Sequence, residues 1–222
     1  MAARVGAAAA AASTAAAAAA AALKLDDFAA VDMSRFKLDH HLLHSALSGD
    51  NRLEKYAMHL HKGDRTSVLA HARLGSQACG HPGIAHGGAL AALLDDAMGT
   101  AFFSAKLGSG FTASLTLQYK RPVPAGRDVL VHATIDRIEP SSSGASRKVF
   151  LTGAICDAAD PAIVYTTAES LFIVKGGSGA LTTLADALRA LLPGEAAAAA
   201  ATPAAAAASG SGKNAAREVK LQ

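Results

Sequence analysis

The residues best suited to chemistry lie within one short stretch, His81-Pro82-Gly83-Ile84-Ala85-His86-Gly87-Gly88, which runs into an Ala/Leu segment carrying Asp95 and Asp96. Two adjacent glycines at a helix start are informative because each costs about 1 kcal/mol relative to alanine there. They let a ligand approach the backbone closely. The free N–H groups of the first turn and the positive end of the helix dipole then face a carboxylate, a phosphate or a developing oxyanion. His86 sits at the mouth of the same site. Asp95 follows Gly88 by seven residues and projects to nearly the same side of a helix, whereas Asp96 is rotated by about 100° and reads as a solvated or structural carboxylate. A carboxylate two turns below an oxyanion-type N–H serves as nucleophile or as base toward water. A plain reading stays open beside this one, with Gly87-Gly88 a hinge and Asp95 a surface charge.

Positioning such a site takes a helix held by a sheet. The Ala/Leu pattern predicts a helix over 87–105, ended by Gly108-Ser109-Gly110, and its small residues Ala89, Ala91, Ala92, Ala97 and Gly99 allow a sheet to wrap it tightly. Ahead of it, 53–61 and 65–74 read as a strand pair around Gly63-Asp64. Behind it, four strand-like runs (111–119, 129–138, 147–156 and 163–174) follow without intervening helices, which predicts an antiparallel, meander-like sheet and an α+β domain. In the first run Phe111, Ala113, Leu115, Leu117 and Tyr119 share one face, and Thr112, Ser114, Thr116 and Gln118 the other. Residues 26–50 have partly helical spacing and read as a helical lead-in, and 181–192 as a short amphipathic helix within 177–193.

The histidines offer a second chemistry. His41 and His44 are i, i+3 neighbours, yet no carboxylate or cysteine stands at ligand spacing nearby, which favours a solvated helix face over a metal site. His59, His61 and His71 read as cross-strand surface residues. Cys79 and Cys156 lack CxxC spacing, implying free thiols in a reducing compartment, with Cys156 a small core hydrophobe. Of 222 residues, 51% are hydrophobic, but alanine tracts inflate that figure, leaving material for a single domain. A net charge of +3 from scattered residues, with no tryptophan and 5% aromatics, argues against nucleic-acid binding. Residues 1–25, alanine-rich with Arg4 and no acid, read as a transit peptide, a bland tail or, least of all, a weak membrane span; 194–222 is low-complexity tail.

Two motifs at the right separation, His86-Gly87-Gly88 with Asp95 nine residues after the histidine, then Thr112-Ala-Ser-Leu-Thr-Leu-Gln-Tyr119-Lys-Arg-Pro122, resemble the hotdog-fold acyl-CoA thioesterase superfamily. The likeness is to the phenylacetate-pathway-type and mitochondrial thioesterase-superfamily-member branch and spans roughly 52–175, within a domain over 51–176. It implies a hotdog fold, an antiparallel sheet wrapped around a central helix, acting in lipid metabolism to hydrolyse acyl-CoA to a free acid and CoA. It further implies a homodimer or dimer of dimers, no metal, no cofactor beyond the CoA of the substrate, and no membrane span. The Gly87 N–H would polarise the thioester carbonyl, His86 and Gly88 would shape that site, and Asp95 would attack the acyl carbon or activate water, with Thr112 orienting it. In relatives Gly87 and Asp95 come from different subunits. Tyr119, Lys120, Arg121 and Pro122, together with Ser146, Arg147 and Lys148, match regions that hold pantetheine and CoA phosphates. Some relatives place a carbonyl-binding asparagine where this chain has Gly80, with His81 beside it as a substitute donor. The branch points to a mitochondrial or other organellar location, with the cytoplasm as the alternative. A non-catalytic hotdog acyl-CoA binder or assembly subunit is the rival reading, and a hydratase a weaker third.

Overall fold

The computed structural model describes residues 25–33, 38–63, 65–140 and 146–175; the alanine-rich tails and the helix expected over 181–192 lie outside them. The described chain runs through β1 (Phe28–Ala30), β2 (Leu53–His61), β3 (Ser67–Leu74), β4 (Cys79–His81), β5 (Ile84–Ala85), α1 (Gly87–Ser104), β6 (Gly110–Tyr119), β7 (Asp128–Pro140), β8 (Ser146–Asp157) and β9 (Val164–Lys175). Seven strands form one antiparallel sheet in the order β1-β2-β3-β7-β8-β9-β6, and β4-β5 make a small separate pair. A single long helix held against this sheet is the hotdog architecture.

Alternation explains the core. Val68, Ala70, Ala72 and Leu74 on β3, Val129, Val131 and Ala133 on β7, and Val149, Leu151 and Ile155 on β8 all turn inward and are buried. They meet a continuous stripe on α1, Leu90, Leu93, Leu94, Ala97, Met98, Ala101 and Phe102, at helical spacing. Gly153 lets the helix pack closely over β8: a Cβ there would stand 2.9 Å from Met98 Cε and 2.8 Å from the His132 carbonyl. At the far end of the sheet the buried Asp157 carboxylate locks the β8–β9 turn. It pairs with Arg127 and accepts from Tyr165 Oη at 2.8 Å and the Ala159 amide at 2.9 Å. The Arg127 contact leads in holding its carboxyl well below the usual range, and the tyrosine and amide bonds add to it against the opposing effect of burial. Cys156 is buried, and that burial pushes its thiol up to about 11, as befits a core residue.

Three expectations need correction. The sheet from 111 to 174 is not a simple meander: β7, β8 and β9 follow one another, but β6 joins beyond β9 while β7 pairs with β3. The reason is α1, whose 18 residues span about 27 Å and carry the chain across to the opposite edge. The lead-in over 26–50 is not one helix. Phe28–Ala30 uses the free edge of β2 (Phe28 opposite His61, Ala30 opposite His59), after a single 3-10 turn at Leu25–Asp27, and Leu42–Ala46 winds as a short π-type turn. The strict alternation along β6 also fails. A register shift between Thr112 and Ser114 inserts one extra residue, so Thr112 lies on the same, half-buried side as Leu115 and Leu117 while Phe111 is 46% exposed.

Candidate active site

α1 begins with a histidine cap. The chain enters from β5 with the His86 amide donating to Ala78 O at 2.8 Å, and His86 is extended (φ −68°, ψ 132°). Its ring turns back so that Nδ1 accepts the Gly88 amide at 2.8 Å, while its carbonyl accepts the Ala89 and Leu90 amides. Of the first-turn N–H groups, only that of Gly87 donates to nothing among the described residues. Because Nδ1 is an acceptor, the neutral ring carries its proton on Nε2. Tyr119 Oη donates to Gly87 O at 2.9 Å, and a Cβ on residue 87 would stand 3.2 Å from that ring. A side chain at 87 would therefore require that exposed ring to move by a few tenths of an ångström. His81, Gly87, Tyr119, Lys120, Arg121 and Pro122 line one shallow cavity at this end of the helix, with His86 and Gly88 beside it.

Asp95 lies two turns further on, in a different cavity of about 290 Å³. The shifted register of β6 aims Thr112 at it, and Thr112 Oγ1 donates to Asp95 Oδ1 at 2.8 Å. Phe103, Phe111, Phe172, Met33 and Leu38 give this cavity an apolar lining. The predicted residues thus divide into two groups within one chain. Eight residues of helix separate Gly87 from Asp95, a rise of about 12 Å, too far for both to act on one acyl carbon. Arg147 and Lys148 lie in neither cavity. They open β8 near the carboxyl end of α1, where Arg147 donates to Leu107 O at 2.7 Å, and the Ser146 side chain lies outside the described residues.

Of the two readings left open for Asp96, solvated or structural, the structure bears out the structural one, while His41 and His44 are not a solvated helix face. Tyr56 Oη on β2 donates to Asp96 Oδ2 at 2.8 Å, with His41 Nε2 3.3 Å from Oδ1 and His44 Nε2 3.5 Å from Oδ2. Burial would raise the Asp96 carboxyl, but these three partners outweigh it and hold it at about 2. The same carboxylate raises His41 through its hydrogen bond, and burial followed by that charge pushes Tyr56 well above the usual phenol range. Sequence reasoning missed this cluster because the carboxylate and the histidines are more than fifty residues apart. The one signal was a second acid, adjacent to the first, in a helix otherwise without charge.

Residues 82–146 match the family model of the thioesterase superfamily. An acyl-coenzyme A thioesterase THEM4 from Mus musculus is 34% identical over 119 residues, covering 54% of this chain and 47% of that protein. The human acyl-coenzyme A thioesterase THEM5 is 32% identical over 99 residues, covering 45% and 37%. The chain spans about half the length of the curated relatives it matches. Among solved structures, a thioesterase superfamily protein shares 28% identity over 53% of each chain with a TM-score of 0.44. The Escherichia coli PaaI protein of the phenylacetic acid degradation operon shares 18% over 51% of this chain and 75% of its own, with a TM-score of 0.43. No helix among the described residues is long and apolar enough to cross a membrane.

Proposed function

We propose that the protein hydrolyses acyl-CoA thioesters, in a site completed by a second copy of the chain. The observation that carries this reading is the Thr112–Asp95 bond of 2.8 Å at the wall of an apolar cavity. Thr112 occupies Oδ1, leaving Oδ2 of Asp95 to accept a proton from water. That water attacks the acyl carbon, an amide N–H receives the developing oxyanion, and collapse expels the CoA thiolate, a good leaving group that needs no general acid.

The amide is the Gly87 N–H of the partner subunit. β6 is one of the sheet's two edge strands, pairing only with β9 among the described residues, and Phe111 and Tyr119 stand 46% and 55% exposed at its two ends. Pairing of β6 with its two-fold copy would be antiparallel, laying the Thr112 end of one strand over the Tyr119 end of the other. Tyr119 is bonded to Gly87, so the same operation carries the partner's free amide toward Asp95. Lys120 and Arg121, exposed beside that amide, suit the CoA phosphates, and Arg147 and Lys148 approach from the opposite strand end. His81, beside the position where some relatives place an asparagine, lines the same cavity as Gly87 and is available as a further donor. The acid-free alanine-rich stretch before Asp26 supports delivery to an organelle such as the mitochondrion.

The test is release of free thiol from a panel of acyl-CoAs. Asp95→Asn is expected to lower kcat/KM by about a hundredfold or more with acyl-CoA binding retained. No turnover by wild type at any chain length, or an unimpaired Asp95→Asn, refutes the assignment and leaves an acyl-CoA binder.

A further inference from the structure

The contacts around Asp96 are unusual for hydrogen bonds. A charged N–H to carboxylate bond closes to about 2.7–2.9 Å. Tyr56 Oη does approach to 2.8 Å, but the two imidazole nitrogens stop at 3.3 and 3.5 Å. His44 is the more telling of the pair: its side chain is 9% exposed, yet Nε2 is buried with no hydrogen-bond partner. It faces the carboxylate as an ion-pair partner without closing a hydrogen bond. The two imidazoles meet different oxygens of the one carboxylate, so three donors converge on a small space of the kind a cation fills.

We propose that His41, His44 and Asp96 form a binding site for one divalent ion of the zinc type. One ligand atom from each residue lies within 4.8 Å of the other two. Two imidazoles and a carboxylate are the three-ligand set that zinc takes when it keeps an open fourth position. All three residues line the 290 Å³ cavity that also holds Asp95, so the fourth position faces that cavity and two adjacent carboxylates favour a cation there. Tyr56, already bonded to Oδ2, orients the carboxylate from behind, as the outer partners of metal ligands do. Loading has a local cost. The Nδ1 of His41 accepts the Leu43 and His44 amides at 3.3 and 3.5 Å, so its proton rests on Nε2. Binding at Nε2 shifts that proton to Nδ1 and gives up two long contacts. The site does not depend on the thioesterase reading.

The experiment takes the full chain, stripped with chelator and dialysed, and titrates it with Co2+ by visible absorption and with Zn2+ by calorimetry. The expected result is one ion per chain, with the intense absorption of tetrahedral cobalt. His44→Ala and Asp96→Asn should each weaken binding by at least about a hundredfold, and Tyr56→Phe by about tenfold. His41→Gln, at a more exposed position, provides the ligand test should His44→Ala fail to fold. The exposed neighbour control, His40→Ala, should leave affinity unchanged. Absence of tetrahedral cobalt absorption, binding unaffected by Asp96→Asn, or equal weakening by His40→Ala would each overturn the site. The cluster would then be only a hydrogen-bonded anchor for the segment over 38–48.

Discussion

If the catalytic unit spans two protomers, two dead chains should rescue each other. The perturbations are Asp95→Asn and Gly87→Pro. Proline at 87 removes the one first-turn N–H without an internal partner, at the helix position where proline is best tolerated. His86 already has the extended backbone that a following proline demands (φ −68°, ψ 132°). Tyr119 must yield by a few tenths of an ångström, since added atoms at 87 meet its ring near 3.2 Å. Loss of one oxyanion donor costs about 10²–10³ in kcat, and loss of the carboxylate about as much, so each parent homodimer falls to roughly 1% of wild type or below. A heterodimer isolated through two different tags contains one site with both lesions and one with neither. It should recover roughly half of wild-type thiol release, because a two-fold dimer has two equivalent sites. The 12 Å helical rise between Gly87 and Asp95 is the basis of this expectation. A heterodimer no more active than its parents would falsify the shared site.

Two other perturbations test the internal geometry. Thr112→Val keeps the shape of the side chain and removes the donor to Asp95 Oδ1; a bond to a charged acceptor is worth about 1.5–3 kcal/mol, so kcat should fall at least about tenfold with KM little changed. A KM effect with kcat intact would mean that Thr112 only shapes the pocket. His132, buried on β7 between Leu69 and Ala154, is held by burial at about 4, below the 6.5 of an exposed histidine. The unfolded chain therefore takes up the extra proton first. Stability from this residue is complete above about pH 6.5 and is lost as pH falls toward 4, by up to about 3 kcal/mol. Urea midpoints measured across that range should slope for wild type and flatten in His132→Leu; parallel slopes refute it.

The glycine pair, the helix and Asp95 were legible because each leaves a local mark: a helix-breaking residue where a helix begins, 3.6-residue spacing, and a charge in an apolar run. The long strands were legible for the same reason. What escaped depended on distance or on counting. Asp96 and His41 are brought together by the fold, not by spacing, and nothing near either one announces the other. The edge position of β6 follows from how far α1 carries the chain, which the strand patterns do not encode. Alternation along β6 placed Thr112 away from Leu115, and only the extra residue at 113 turns it toward the helix. The resemblance assigned Thr112 its role without that geometry.

That extra residue bears on how such a domain diverges. A chain lacking Ala113 would have Thr112 two positions from Leu115 and would keep its hydroxyl on the helix-facing side in plain alternation. The damaging change is the opposite one: if Ala113 stayed and the bulge closed, Thr112 would stand three positions from Leu115 and turn to the far face of the sheet from Asp95. A side-by-side reading of residues would register the harmless deletion and overlook the slipped pairing. The register of β6 against β9, rather than any residue type, decides whether the threonine meets the carboxylate.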